Sequence, residues 1–214
     1  MTHHKKAYKS PNIRDIKEKK MVKRTTEDRE HITEQDVAVK LKTLSPMLQQ
    51  EYLENVLNRM TTDPNLIIFS SRRLAELHAI KGMYSTAARI MTNAALVAVN
   101  FDKAKEIHLE AAALSIKAGD YLLAEDNFRN AVTAAAPSEK AKVQLEQAKY
   151  YMLEAEALDR NGKMSKAAQI YERILKQAKD TEVKRKVMER LMVLYEKLGR
   201  ISDSIRFRES MKNL

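Results

Sequence analysis

Apolar residues recur at helical spacing along almost the whole chain beyond the first thirty residues. One segment shows this most simply, because its apolar side chains are Met47, Leu48, Tyr52, Leu53, Val56, Leu57 and Met60. Positions three, four or seven residues apart lie on one face of an α-helix, so the pattern predicts an amphipathic helix. The segment before it carries Val37, Leu41 and Leu44. Together the two predict a helical hairpin over residues 31–63.

Helix starts are marked by capping residues. Thr33 followed by Asp36 is a variant of the capping box, in which side chains bind the free amides of the first helical turn. Ser45–Pro46 and Asp63–Pro64 each place an N-cap residue before a proline. Proline suits the first helical position, where its missing amide would have no partner in any case. Helices are therefore predicted to begin after Thr33, at Pro46 and at Pro64.

The four glycines occupy equivalent places in the pattern. Gly82, Gly119, Gly162 and Gly199 each follow one apolar helical stretch and precede another, at intervals of 37, 43 and 37 residues. Glycine at the end of a helix supplies the left-handed turn that reverses the chain. A turn that recurs at such intervals is typical of stacked helical hairpins. Residues 64–214 are therefore predicted to form four hairpins.

The side chains that follow each glycine also repeat. The residues five, nine and twelve positions after it form a stripe on one helix face. Small residues at the first position allow two helices to approach closely, and larger residues at the second fill the groove between them. The stripes are Ala87, Met91 and Ala94; Ala124, Phe128 and Ala131; Ala167, Tyr171 and Ile174; and Ser204, Arg208 and Met211. The last stripe is the most polar, so the fourth hairpin matches least well.

One stretch carries a resemblance to a known family through the residues Gly119, Asp120, Tyr121, Ala124, Phe128 and Ala131. It resembles the second half of a tetratricopeptide repeat, and the resemblance covers residues 66–214. It is weaker in the third repeat, where Glu154 stands in place of the usual leucine. The resemblance implies an all-α fold, a right-handed α-solenoid of antiparallel helical hairpins. The long periods imply longer helices, as in the related SNAP-like proteins; the alternative is an irregular helical bundle.

Composition excludes several classes of protein. Apolar residues make up 44% of the 214 residues, which is enough to form a core. The four glycines and four prolines are fewer than a sheet protein of this size normally uses in its turns. The lack of cysteine excludes disulfides and thiolate metal sites, and it fits a reducing compartment. Without an apolar run long enough for a membrane span or a secretory signal, we expect a cytoplasmic protein.

Positive charge is concentrated at the N-terminus. The chain carries a net charge of +10, of which residues 1–24 contribute +7. Residues 1–30 are predicted to form a disordered basic tail because they contain too few apolar residues to fold alone. The basic side chains of this tail are Lys5, Lys6, Lys9, Arg14, Lys17, Lys19, Lys20, Lys23 and Arg24.

This basic tail predicts contact with an anionic partner. RNA or a ribosome fits best, and such binding would weaken steeply with salt because it releases counterions. A membrane surface fits less well, since the apolar face of the tail is thin. The alternative is a tail that only keeps the protein soluble.

Catalytic and metal-binding patterns are missing from the sequence. His78 and His108 are predicted to pack between neighbouring hairpins rather than to bind a metal, since no third histidine lies near them in sequence. The glycines lie too far apart to form a phosphate-binding loop. No motif for a nucleophilic triad accompanies the serines. We therefore expect a protein that is not an enzyme and that uses neither a cofactor nor a metal.

The resemblance implies a surface for binding another protein. In tetratricopeptide arrays the first helix of each hairpin lines a concave face that holds peptides or helices. The aligned positions are Phe69, Arg72, Glu76, Leu109, Ala113, Lys149, Met152, Glu156, Lys186 and Glu189. Some family members hold the C-terminal carboxylate of heat-shock chaperones with a fixed Lys/Asn/Arg set. Arg72, Glu76 and Ala113 stand at those positions, so that activity is not inferred.

These patterns lead to two hypotheses about function and one about assembly. The first function is an interaction scaffold that binds a protein partner through the repeat array. The alternative is an RNA- or ribosome-associated factor anchored by the basic tail. Self-association is predicted through the last hairpin, because its apolar residues Ile201, Ile205, Phe207 and Met211 have no capping helix after them.

Overall fold

A computed structural model describes residues 32–58, 62–178 and 180–212. Within these ranges the chain is all-α, with ten helices and no strand. Nine of these helices pack mainly against their neighbours in sequence, and the first, Glu34–Lys42, packs mainly against the third, Pro64–Ile80. The predicted tail, residues 1–30, lies outside the described residues, as do all nine of its basic side chains.

The last eight helices are arranged in four pairs, each joined at one of the glycines. The first two lie within residues 31–63, where the sequence predicts a hairpin, and the first of them packs more against the third helix than against the second. The described helices are α1 (Glu34–Lys42), α2 (Pro46–Asn58), α3 (Pro64–Ile80), α4 (Tyr84–Leu96), α5 (Phe101–Ala118), α6 (Tyr121–Ala134), α7 (Lys140–Arg160), α8 (Met164–Gln177), α9 (Thr181–Lys197) and α10 (Ile201–Lys212). The predicted helix starts are confirmed.

The first helix begins with the predicted capping box. Thr33 Oγ1 accepts a hydrogen bond from the Asp36 amide at 3.2 Å, and the Asp36 carboxylate accepts one from the Thr33 amide at 2.9 Å. The Thr33 hydroxyl also donates to this carboxylate, and that bond lowers the pKa of Asp36. At α3, Asp63 accepts from the Asn65 amide at 2.9 Å. Amides that would lack a partner in the first turn are thereby satisfied.

Each glycine closes its pair with the same hydrogen-bonded turn. The four glycines have φ between +71° and +76°, which lies in the left-handed region. The Gly119 amide binds the Ile116 carbonyl, and the Asp120 amide binds the Ser115 carbonyl, both at 2.9 Å. The equivalent two bonds form at the other three glycines, with lengths from 2.8 to 3.1 Å. This is the Schellman motif, which satisfies carbonyls that have no partner at the end of a helix.

The predicted stripes after the first three glycines are buried. Their nine residues are Ala87, Met91, Ala94, Ala124, Phe128, Ala131, Ala167, Tyr171 and Ile174. The small residue at the first position of each stripe is fully buried, so the second helix of each pair lies close to its neighbours. The repeating sequence pattern therefore corresponds to a repeating core.

The fourth pair replaces part of this apolar stripe with polar bonds. Ser204 is buried, and its hydroxyl donates to Glu196 at 2.9 Å. Arg208 is exposed and forms an ion pair with the same carboxylate at 2.9 Å. These two bonds attach α10 to α9, as the apolar stripe residues do in the other pairs.

The apolar residues of α10 do not all face the same way. Phe207, predicted to lie on an uncovered surface, is buried and stacks on Tyr195 with ring centroids 5.8 Å apart. Met211 is half-buried against the same core. Ile201 and Ile205 are exposed. The prediction of an uncovered apolar side was therefore wrong for Phe207, because that side chain faces α9, and self-association through Ile201 and Ile205 stays a prediction.

Polar bonds show that α3, α5 and α7 begin on the same side of the molecule. Lys103 Nζ in α5 donates to Asn65 Oδ1 in α3 at 2.8 Å. Lys105 Nζ donates to Glu139, which directly precedes α7, at 2.7 Å. We call this side, made of residues 62–65, 97–105 and 135–140, the connector edge. The opposite side, where these helices reach their glycine turns, is the glycine edge.

A fully buried side-chain amide joins three helices. Asn127 Nδ2 in α6 donates to the Leu123 carbonyl and to Thr92 Oγ1 in α4, both at 2.9 Å. Asn127 Oδ1 lies 2.8 Å from His108 Nδ1 in α5. Since this oxygen can only accept, His108 Nδ1 carries a hydrogen and donates it. His78 is also buried, so both histidines occupy packing positions.

Glu154 is the weak point of the third repeat. It stands on α7 at a position where the resemblance noted above would place leucine, and burial raises the pKa of its carboxyl while the charges of Lys117 and Lys163 oppose that rise. A raised pKa in the folded protein means that the ionised carboxylate is less favourable there than in the unfolded chain. Glu154 therefore reduces stability at neutral pH.

Replacing Gly119 by alanine should destabilise the protein by about 1 kcal/mol, because an L-residue is strained in the left-handed conformation. Steric clash does not contribute, since nothing lies within 4 Å of a Cβ built there. Gly119→Asn should cost less, since asparagine tolerates this conformation. Urea unfolding of both variants measures the difference, and equal stability of Gly119→Ala and wild type would contradict the strain.

Glu154→Gln should raise the free energy of unfolding at pH 7 by less than about 1 kcal/mol, because it removes a half-buried charge. The gain is present above the raised folded-state pKa and disappears as the pH falls below the unfolded-state pKa, where Glu154 is neutral in both states. Urea unfolding at a series of pH values tests this. Exposed Glu209→Gln is the matched control, and an equal gain there would count against burial as the cause.

Candidate protein-binding groove

A groove of about 390 Å³ lies between α7 and α9. Both helices come first in their pairs, the position that the resemblance assigns to a concave binding face. The lining residues are Met152, Glu156, Tyr171, Lys186, Val187, Glu189, Arg190 and Val193. Four of these eight, Met152, Glu156, Lys186 and Glu189, were predicted from the sequence.

Helical spacing places these residues along the groove. Met152 and Glu156 are four positions apart and share one face of α7. Lys186, Glu189 and Val193 follow the i, i+3, i+7 spacing of one face of α9. Val193 continues the row that Lys186 and Glu189 begin, so the spacing could have identified it from the sequence.

The floor of the groove is apolar and its rim is charged. Val187 and Tyr171 are buried, Met152 is half-buried, and Val193 leaves 46% of its surface exposed. The rim side chains, all exposed, are Glu156, Lys186, Glu189 and Arg190. Two acids and two bases give the rim no net charge. Such a surface suits a segment that carries apolar side chains together with charges of both signs.

Tyr171 keeps its hydroxyl proton in this setting. Burial is the main cause that raises the pKa of Tyr171, the nearby Glu156 raises it further, and Arg190 opposes the rise. The phenol therefore stays neutral at physiological pH and is able both to donate and to accept a hydrogen bond.

The predicted residues on α3 are occupied by contacts within the protein. Arg72 binds Glu110 of α5 through two nitrogens, at 2.9 and 2.8 Å. Glu76 is exposed and pairs with Arg73 at 2.9 Å. Phe69 is half-buried, and the Arg73 guanidinium lies 5.7 Å from its ring centroid. These residues connect neighbouring helices or lie against their own helix, rather than lining the groove.

The predicted residues on α5 and the start of α7 also lie outside the groove. Leu109 is only 8% exposed and belongs to the largest apolar core, so its predicted place on the binding surface was wrong. The reason is that α7 packs directly against α5. Ala113 is half-buried, and Lys149 is exposed on α7 outside the groove. Of the ten predicted positions, the groove brings together Met152, Glu156, Lys186 and Glu189.

A second cleft of about 350 Å³ lies where α8 ends and α9 begins. Its lining includes Leu145, Ala148, Ile174 and Val183, together with the buried Tyr151. Among the residues that the structure describes, the Tyr151 hydroxyl has no hydrogen-bond partner, and burial raises its pKa strongly. The sequence analysis did not identify this cleft, because its walls come from the ends of three helices.

Metal ligands do not cluster in the part of the chain that the structure describes, where no group of three or more His, Cys, Asp or Glu side chains could hold an ion. Among the same residues, no helix combines the length and apolar character needed to cross a membrane.

Comparisons with known proteins give little further information. No family model matches the chain, and no curated protein matches it. Among solved structures, the chain is similar to the crystal structure of BtubC (BKLC) from P. vanneervenii, with 16% identity over 83% of this chain and 76% of that chain. The TM-score is 0.41, too low for the likeness to support a conclusion about fold or function.

Arg72 and Glu110 should couple α3 to α5 measurably. Because the pair is bidentate but more than a third exposed, a double-mutant cycle with Arg72→Ala and Glu110→Ala should give a coupling energy of about 0.5–1 kcal/mol. The coupling should shrink at high salt, since salt screens exposed charges. The exposed Arg73–Glu76 pair within α3 is the control and should couple more weakly; a coupling of zero for Arg72–Glu110 would contradict the expectation.

Proposed function

We propose that this protein is a non-enzymatic scaffold of the tetratricopeptide type, which binds a protein partner in the groove between α7 and α9. Its helix pairs would stack as a right-handed α-solenoid, and the protein would act in the cytoplasm. The first observation in support is the repeated turn, since all four glycines carry the same pair of hydrogen bonds. The second is the buried stripe that follows three of them.

The groove is the observation that carries the function. Its apolar floor is open to solvent at Val193 and Met152, and burial of such surface is the main source of binding energy. Rim charges of both signs would set the orientation and register of the occupant rather than its overall affinity. An amphipathic helix or an extended peptide with apolar anchors and mixed charges fits this description.

Helix α10 offers a matched control for the groove. Val193 and Ile205 are both branched aliphatic residues, with 46% and 47% of their surfaces exposed. Val193 lines the groove and Ile205 does not. A substitution at either position should therefore disturb the fold to a similar and small extent.

Val193→Glu should abolish binding of peptides selected against the full chain, because it places a charge against the apolar floor. The peptides come from a random library displayed on phage, and their affinities are measured by titration against purified wild type, Val193→Glu and Ile205→Glu. We expect a loss of at least about tenfold for Val193→Glu and none for Ile205→Glu. Peptides that bind all three proteins equally would show that the groove is not the binding surface.

A further inference from the structure

The second cleft and the groove adjoin each other on all three helices that line them both. On each helix, a residue of the cleft stands one turn or less from a residue of the groove, and residues three or four positions apart share a helix face. These pairs are Tyr151 and Met152 on α7, Ile174 and Tyr171 on α8, and Val183 and Val187 on α9. The two cavities are therefore halves of one trough, with α8 as its floor and α7 and α9 as its walls. The cleft half lies toward the connector edge, where α7 begins.

The two halves of the trough differ in charge. The rim of the groove carries two acids and two bases, whereas apolar residues and side-chain amides line most of the cleft. Asp180 is the one charged residue among those that line the cleft. Its carboxylate caps α9 by accepting hydrogen bonds from the amides of Glu182 and Val183 at 2.7 and 3.1 Å. The cleft therefore suits apolar and uncharged polar groups.

The hydroxyl of Tyr151 is an unpaired donor in the wall of the cleft. The side chain is only 1% exposed, and its hydroxyl has no hydrogen-bond partner among the described residues. A buried polar group without a partner is costly, so its presence in a native protein needs an explanation. Because burial raises the pKa of Tyr151, the phenol keeps its proton and can donate it. A ligand with a carbonyl oxygen would supply the missing acceptor.

We propose that the cleft is a second subsite for the partner segment that fills the groove. The segment lies extended along the trough, with an uncharged half in the cleft and a half of mixed charge in the groove. One of its carbonyl oxygens accepts a hydrogen bond from the Tyr151 hydroxyl. This inference rests on the proposed function, because it assigns the chemistry of the partner that binds the same trough.

An extended segment suits the trough better than a helix does. The main-chain amides and carbonyls of an extended segment have no internal partners, whereas a helix satisfies its own. The cleft offers three glutamine side chains, whose amides both donate and accept hydrogen bonds, together with its phenol. Ala141 and Glu156, at the two ends of the trough, stand 15 positions apart on α7, which corresponds to roughly 22 Å. About seven extended residues span that length.

Three matched substitutions in the full chain separate this inference from the proposed groove. Leu145 lines the cleft and is 43% exposed, close to the 46% of Val193 in the groove and the 47% of Ile205 outside both. Peptides selected against wild type from the random phage library are titrated against Leu145→Glu, Val193→Glu and Ile205→Glu. Circular dichroism checks that each variant keeps its helices.

We expect Leu145→Glu and Val193→Glu each to weaken peptide binding by at least about tenfold, and Ile205→Glu to leave it unchanged. The selected peptides should carry their charges in one half only. Tyr151→Phe should weaken binding by about threefold to tenfold, because it removes one hydrogen bond. It should not lower the melting temperature, since the hydroxyl that it removes has no partner in the free protein.

Other results would overturn the inference. Loss of binding in Val193→Glu alone would show that the segment does not enter the cleft, and the groove would remain the binding surface. Loss in Leu145→Glu alone, or equal binding by wild type and all three variants, would remove the proposed groove as well. Tyr151→Phe with unchanged affinity and a lower melting temperature would give the hydroxyl a structural role and exclude its bond to the segment.

Discussion

The reversal of the chain at each glycine is the constraint on which the rest of this structure depends. A helix that ends in a Schellman motif must leave its last turn in one direction, because two specific amides are committed to two specific carbonyls. The next helix then begins after the same short connection every time. In the first three pairs, the stripe of small and large residues that follows the glycine is then buried. Because the turn has the same hydrogen bonds in each pair, the spacing of the buried residues that follow it is also the same in the first three pairs.

Much of the fold could be predicted from the sequence because its signals are local. Proline after a capping residue and glycine after an apolar stretch each act within a few positions, and both gave correct helix boundaries at Pro46, Pro64 and Gly119. Burial of the stripes was predictable for the same reason, since helical spacing alone determines which residues share a face.

The errors arose where burial depends on a neighbour outside the helix. Leu109 has the spacing of an outward position, but α7 packs over it. Phe207 was predicted to lie uncovered, and it stacks on an aromatic ring of α9. Arg72 was assigned to the predicted binding face, and it binds Glu110, which lies 38 positions away in sequence. Val187 and Arg190, which line the groove beside the predicted Lys186 and Glu189, were missed because alignment from the glycines does not reveal which other residues of α9 face α7.

The amide of Asn127 has a consequence for how this chain could change in evolution. Where neighbouring helix pairs meet through aliphatic and aromatic side chains, as around Phe128 and Tyr151, any unit of similar volume could serve as a neighbour. The junction of α4, α5 and α6 is different. A replacement helix pair without a matching hydroxyl or imidazole would leave the buried amide of Asn127 without hydrogen-bond partners on the neighbouring helices. Duplication or exchange of units should therefore be easier in the C-terminal half of the chain, whereas exchange of either of the first two glycine-joined pairs alone should be costly.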